Sequence, residues 1–282
     1  MALAIQPIKG TFVGEVEPLD LRQIDDAATA ALKEAWGRYQ VLVFRGLTME
    51  EGDLVAFSQR FGDLEIHVRT EYLSRDYPEI LYVSNMKDET GRTIGILSDG
   101  EVGWHYDQIY LPRPAVGSFL LAHTLPKDGG ATSFADMSLA YERLADATKK
   151  IIDGRKAVQS YEAFNAAYSV PTSGKQRKQT PDIEHPIVRT HPITGRKALY
   201  ICPGMTTRIV GLPEVESRAL LDDLFAWTIR PEFVYTHKWR AGDGVMWDNA
   251  STMHRREPFD ASAQRLMKRT TILPPPELAV PF

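Results

Sequence analysis

His105 and Asp107 stand two residues apart in Gly103-Trp104-His105-Tyr106-Asp107-Gln108, a run that reads as a strand or a strand end. Side chains of a strand alternate between faces, so an imidazole and a carboxylate at i and i+2 converge on one point. Such a pair suits a metal ion, and a third ligand is then required. His254, after the apolar Val245-Met246-Trp247 and the polar Asp248-Asn249, is the best candidate. Two histidines and one carboxylate leave coordination positions open, the pattern expected of non-haem Fe(II) oxygenases. Zinc is the competing metal. A structural zinc site fills all four positions, mostly with Cys and His. This chain has one cysteine, Cys202, and no HExxH helix, although a catalytic zinc on the same three residues is chemically allowed. The other histidines read more plainly: His185 and His191, beside prolines, as turn residues, and His123 and His237 as groups within strands.

Past His254, the segment Arg265-Leu266-Met267-Lys268-Arg269 reads as extended, which puts Arg265 and Arg269 on one face. Two guanidiniums on one face of a pocket repel unless each meets an anion. A planar guanidinium fork suits a bidentate grip on a carboxylate.

Trp104-His105-Tyr106-Asp107, Gly129-Gly130-Ala131-Thr132, Gly242-Asp243 through Met246-Trp247-Asp248-Asn249 to His254, and Arg265 through Arg269-Thr270-Thr271 occur in that order. Weaker companions are Val41-Leu42-Val43-Phe44-Arg45-Gly46 and Phe61-Gly62. In these pieces, from about residue 40 to about 273, the chain resembles the taurine dioxygenase and phenoxyacetate dioxygenase (TauD/TfdA) family of Fe(II)/2-oxoglutarate enzymes. The resemblance implies Fe(II), 2-oxoglutarate and O2 as cofactor and cosubstrates, with His105, Asp107 and His254 as metal ligands. It implies Thr132 and Arg265 as anchors of 2-oxoglutarate, and Arg269 as the reader of an acidic group on the primary substrate. His67 matches a substrate-anion contact of the taurine enzymes more loosely. Asn85, Tyr106 and Gln108 join the expected substrate pocket by proximity to the motifs. Ser98-Asp99-Gly100-Glu101-Val102-Gly103 lacks the asparagine that the taurine enzymes place shortly before their HxD. The stretch from Glu232 to Asn249 is closer to the phenoxyacetate group, which argues against taurine itself.

The implied activity is hydroxylation of a small organic acid (a carboxylate, aryloxyalkanoate, sulfonate or sulfate ester) with release of succinate and CO2. Desaturation or C–O or C–S cleavage by the same iron cycle is the alternative, and a non-catalytic binding module of the same fold is a third reading.

The elements that must position these residues are mixed. Residues 25–39 read as a helix capped by Asp25, with Leu32, Ala35, Trp36 and Tyr39 at helical spacing, and Val41 to Phe44 as a buried strand. Thr48 and Glu51 read as a capping box opening a helix that turns Leu54, Phe57 and Phe61 inward. Ile80–Asn85 and 115–124 read as strands. Residues 87–103, with four glycines, read as a loop that either closes over substrate or merely connects. Residues 138–153 read as one helix, and 154–184, polar and locally basic, as an excursion. Strands around a Thr194-Gly195 turn, a helix opened by Pro213, and strands at 233–239 and 245–247 complete the chain. The expected architecture is one α+β domain over residues 1–282. Its jelly-roll core, a double-stranded β-helix with flanking helices, is implied by the resemblance; periodicity alone shows mixed α and β.

Composition sets bounds. The 282 residues are 43% hydrophobic and 25% charged with net charge −4, so neither nucleic acid nor an anionic membrane surface is called for. One cysteine suits a reducing compartment. The N-terminus lacks a basic segment followed by a long apolar run, and no apolar stretch approaches a membrane span. The expectation is a cytoplasmic homo-oligomer, dimer or tetramer, acting on a small anionic molecule.

Overall fold

The computed structural model describes residues 4–10, 12–96, 99–167, 174–276 and 278. Seven strands form a large sheet in the order Ile5–Lys9, Val13–Val16, Val41–Phe44, Gly244–Asp248, Gly117–Thr124, Leu266–Ile272, Leu81–Ser84. Neighbours are antiparallel except the parallel pair Val13–Val16 with Val41–Phe44. Four strands form a smaller antiparallel sheet in the order Val234–His237, Thr132–Asp136, Thr252–Arg256, Val102–His105.

Alternation along the large sheet splits its apolar residues into two cores. Val41, Val43, Leu120, Val245, Trp247 and Met267 cluster with Phe134 of the small sheet. Leu42, Phe44, Phe119, Leu121 and Met246 point the other way, onto Leu32, Leu54 and Phe57 of the helices Asp26–Tyr39 and Glu51–Gln59. A third cluster gathers Met137, Ala140, Leu221, Leu224 and Phe225 around Tyr106 and Tyr200. The large sheet is therefore covered by helices on one side and meets the small sheet through Phe134 on the other. Among the described residues, no helix is long and apolar enough to cross a membrane.

The first helix starts as its sequence requires, with the Asp25 carboxylate accepting from Ala28 N at 2.7 Å. The second does not. Its reciprocal box is Glu50 with Asp53, whose Oδ2 accepts from Glu50 N at 3.0 Å, so Thr48 lies outside the helix. Thr48 and Glu51 fit the spacing of a box, but the acid at position 53 reaches back better and moves the start by two residues. The single helix expected at 138–153 is two, Met137–Glu142 and Asp146–Ile152. The chain breaks where Leu144 is buried and Ala145 turns extended at ψ 139°.

The polar stretch after Gly154 is largely ordered structure. Lys156–Gln159 pairs with Ile183–Pro186 and Thr206–Ile209 in a three-stranded sheet, and the helices Tyr161–Ala167 and Gly174–Gln179 lie between. Residues 168–173 of that excursion, and 97 and 98 of the glycine-rich loop, lie outside the described residues. His185 falls in a strand, where its ring is buried against Leu111 O at 2.9 Å. His123 falls within a strand as expected, but is exposed near the end of it.

Candidate metal centre and its two cavities

The strands Val102–His105 and Thr252–Arg256 are neighbours, and their register sets His105 opposite His254. The two rings lie 4.1 Å apart between centroids. Strand Val102–His105 ends at the histidine, and Asp107 follows in the turn. One ligand atom from each of His105, Asp107 and His254 lies within 4.8 Å of the other two, and all three residues are buried. This is the grouping the sequence anticipated, with one histidine on each of two paired strands and the acid just past one of them.

The surroundings hold these groups in the states a metal requires. His105 Nδ1 is 2.7 Å from Gly103 O, which fixes the ring and leaves Nε2 as the ligand nitrogen. Burial lowers the pKa of both imidazoles, that of His254 to about 3 with help from His105 beside it. Both are therefore neutral with a lone pair to give. Burial alone would raise the Asp107 carboxyl. Arg269, the two histidines and Ser118 outweigh it and hold the group well below the usual carboxylate range. Ser118 Oγ donates to Oδ2 at 3.0 Å and Arg269 Nη1 to Oδ1 at 3.1 Å.

The backbone at Asp107 is held as firmly. Asp107 N donates to Asn249 Oδ1 at 3.0 Å, while Asn249 Nδ2 donates to Asp107 O at 2.8 Å and Ala115 O at 2.9 Å. Gln108 takes φ 59°, a left-handed conformation that side chains disfavour, and its Oε1 accepts from Ala115 N at 3.1 Å. The peptide groups of Ala115 thus tie the turn carrying the carboxylate to the end of the Gly244–Asp248 strand.

Two cavities meet at this centre, and His105 and Arg269 line both. The inner one, about 40 Å³, lies between the sheets and takes in Thr132, Trp247, His254, Arg256 and Arg265. Arg265 is almost fully buried, and its Nε and Nη1 have no hydrogen-bond partner among the described residues. Burial, with Arg256 adding like charge, lowers its pKa to about 9, so it stays cationic at neutral pH. Its peptide is pinned on both sides: N donates to Asn85 Oδ1 at 2.9 Å, and Ser84 Oγ donates to its O at 2.7 Å. Gly130, at φ 69°, lets the chain pass where a Cβ would come within 3.3 Å of Arg265 Nε. Thr132 Oγ1 accepts from Trp239 Nε1 at 3.0 Å, which leaves its own proton to donate. A buried cation with two unmet N–H groups beside a hydroxyl that has its proton to donate is a receptor for a carboxylate.

The matching family model, described as the taurine catabolism dioxygenase TauD, TfdA family, covers residues 4–271. The chain belongs to this family. It is 33% identical over 286 residues to the alpha-ketoglutarate-dependent 2,4-dichlorophenoxyacetate dioxygenase of Cupriavidus pinatubonensis, covering 97% of this chain and 98% of that protein. It is 34% identical over 289 residues to pentalenolactone F synthase of Streptomyces avermitilis, covering 96% and 94%. Among solved structures, AAD-2 in complex with Mn(II) and N-oxalylglycine superposes with a TM-score of 0.84 at 33% identity, over 99% of this chain and all of that one.

Within this TauD/TfdA chain the expected substrate residues separate. Arg269 and His67 line the outer cavity, about 350 Å³, which opens beside Asp107. Arg269 Nε is buried without a partner among the described residues. His67 Nδ1 accepts from Arg69 N at 3.1 Å, and burial, followed by Arg269, lowers its pKa to about 4, so the neutral ring carries its proton on Nε2. Tyr106 and Gln108 border the same cavity, but their polar groups are spent elsewhere. The Tyr106 hydroxyl donates to Leu199 O at 2.6 Å. Gln108 binds Ala115 N through Oε1 and contacts the Glu65 carboxylate. Asn85 lines neither cavity: besides holding Arg265 N, it donates through Nδ2 to Ala263 O at 2.7 Å. It is removed from the substrate set, because its whole amide is used in shaping the turn before Arg265.

Several contributors were missed by the sequence reading. Arg256, two past His254 and so on the same strand face, was available to a period-two argument. Tyr161, Phe164 and Asn165 reach the outer cavity from one helix face, but nothing in their spacing shows which wall that face meets. Asn249 was visible only as part of a motif; its role depends on where residues 107 and 115 fold.

Proposed function

We propose that this chain is an Fe(II)- and 2-oxoglutarate-dependent dioxygenase that hydroxylates a small organic acid and releases succinate and CO2. The observation that carries the reading is the position of His105, Asp107 and His254 at the junction of two cavities, the inner one ending on the buried, unpaired Arg265. In this reading the three ligand residues hold iron, and Arg265 with Thr132 grips the distal carboxylate of 2-oxoglutarate. Iron with 2-oxoglutarate and O2 would supply oxidation of a substrate C–H bond. The chain's own work is placement. Arg269 receives the acid of the primary substrate through its unmatched Nε, His67 adds a neutral Nε2–H donor, and the aromatic groups Tyr110, Tyr161 and Phe164 exclude water from the outer cavity. Asp107 lowers the charge of the metal centre, and nothing requires it to act as a base.

The two facing sheets are read as a double-stranded β-helix, a jelly-roll core that places the metal at the mouth between them. The chain is read as one catalytic domain over residues 1–282. It is expected to work as a homo-oligomer in the cytoplasm on small anionic molecules such as carboxylates, aryloxyalkanoates, sulfonates or sulfate esters.

The test is anaerobic addition of Fe(II) and 2-oxoglutarate, which should produce a weak visible charge-transfer band. Succinate formation across a panel of such acids then follows. His105→Ala and Asp107→Ala should each abolish the band. An undiminished band in both variants would falsify the ligand assignment.

A further inference from the structure

The segment from Glu65 to Arg69 alternates in an unusual sense. Glu65, His67 and Arg69 are half-buried, while Ile66 and Val68 are 58% and 70% exposed. Turning two large apolar side chains to water in order to bury charge opposes the usual partition of residues. The inward polar face therefore has a use inside the cavity.

His67 and Arg69 both line the outer cavity. The Arg69 backbone is fixed twice over, by its N–H to His67 Nδ1 and by its place at the start of the short helix Thr70–Tyr72. Its guanidinium has no acidic partner among the described residues. Among the described residues that line this cavity, Asp107 is the one acid, and the reading above commits it to the metal. Glu65, the other acid near Arg269, is bonded to Gln108, and burial raises its pKa. Two cations, Arg69 and Arg269, thus share a cavity whose described wall residues offer them no further anion. They also differ in position. Arg269 lines both cavities and bonds Asp107 Oδ1, so it sits at the metal; Arg69 lines the outer cavity alone.

We propose that the outer cavity is built for a substrate with two anionic groups, the one near the metal held by Arg269 and a distal one held by Arg69. This rests on the function proposed above and narrows its substrate class from organic acids to diacids, with an apolar or aromatic body between the charges. Tyr72, Tyr110 and Tyr161 line the same cavity and give that body flat apolar faces and hydroxyl edges. Tyr110 and Tyr161, 4.4 Å apart between ring centroids, are already in mutual contact and form a preassembled wall.

The experiment is calorimetric titration of the protein loaded with Mn(II) and N-oxalylglycine, using phenoxyacetate against 3- and 4-carboxyphenoxyacetate. A charge-assisted contact at Arg69 should make at least one diacid bind about tenfold or more tightly than the monoacid. Arg69→Gln should bring the two within about twofold while leaving monoacid binding unchanged. Arg69→Lys, which keeps the charge and loses the fork, should retain part of the preference. A wild-type protein that binds neither diacid better than phenoxyacetate, including one that binds none of them, overturns the proposal. So does a preference that survives Arg69→Gln. The underlying activity is judged separately, in the unmutated protein, by slow succinate formation from Fe(II), O2 and 2-oxoglutarate without added acid.

Discussion

Replacing Asn249 tests whether the metal ligand is set by the fold around it or by its own rotamer. Asn249 is fully buried and makes three hydrogen bonds, at 3.0, 2.8 and 2.9 Å, with the backbone of Asp107 and Ala115. Asn249→Ala leaves two carbonyls and one N–H buried without partners. Each such group costs about 1–3 kcal/mol, and because they are neighbours their sum falls short of additive, at roughly 3–5 kcal/mol. For 282 residues the unfolding entropy is on the order of 0.6 kcal/mol/K, so the melting temperature of the metal-free protein should fall by about 5–8 °C. Metal affinity should fall further, roughly ten- to a hundredfold, as for other groups that orient a ligand from behind. Asn249→Asp is the sharper variant. It keeps the volume and the acceptor for Asp107 N, but it points a buried carboxylate at two carbonyl oxygens. It should be at least as damaging as the alanine. Thermal melts and Mn(II) titration of both variants decide the matter. If Asn249→Asp melts and binds metal like the wild type, the carboxamide is not what holds Asp107.

Arg265→Gln should weaken 2-oxoglutarate binding by roughly ten- to a hundredfold, the worth of a charge-assisted bond, while leaving the primary substrate's requirement nearly unchanged; equal loss in both would detach Arg265 from the inner cavity. Arg269→Met should weaken acid binding and raise the ratio of succinate formed to substrate oxidised, because a loosely held substrate no longer presents its C–H bond. An acid and its neutral amide handled alike by the wild type would remove that role. In the metal-free protein, His67 and His254 have folded pKa values of about 4 and about 3 against 6.5 for the free side chain. The unfolded chain therefore binds more protons below pH 6.5, and stability should drop as pH falls from there towards 4. At pH 5 the loss should be roughly 2 kcal/mol for each histidine. Urea midpoints that are equal at pH 7 and pH 5 would contradict the buried, neutral state of both rings.

What was legible in the sequence was whatever local pattern determines. His105, Asp107 and His254 could be named because period-two spacing and the motifs around them are local properties, and the structure brings them together. The first helix could be bounded to a residue because Asp25 caps it. The box at Thr48 failed because two overlapping candidates, 48 with 51 and 50 with 53, compete within six residues, and geometry chooses between them. Asn85 and Gln108 were placed in the substrate pocket by proximity along the chain, whereas their amides are consumed by Arg265 and Ala115, partners far off in sequence for the one and across a turn for the other. The outer cavity's far wall was illegible for a related reason. Tyr161 and Phe164 come from a polar stretch whose ordering depends on pairing with Thr206–Ile209.

The position of the last strand has a consequence for how the molecule is made. Leu266–Ile272 is not an edge strand: it is hydrogen-bonded on one side to Gly117–Thr124 and on the other to Leu81–Ser84. A nascent chain that has emerged only as far as residue 260 therefore lacks the next-to-last strand of its larger sheet, and Leu81–Ser84 is detached from it. Arg265 and Arg269 arrive with this segment, as does Met267 of the core between the sheets. Residues as far as 272 must be available before the sheet can close. Until then the two paired histidines have only half a vessel around them, so ligand competence and closure of the sheet arrive together.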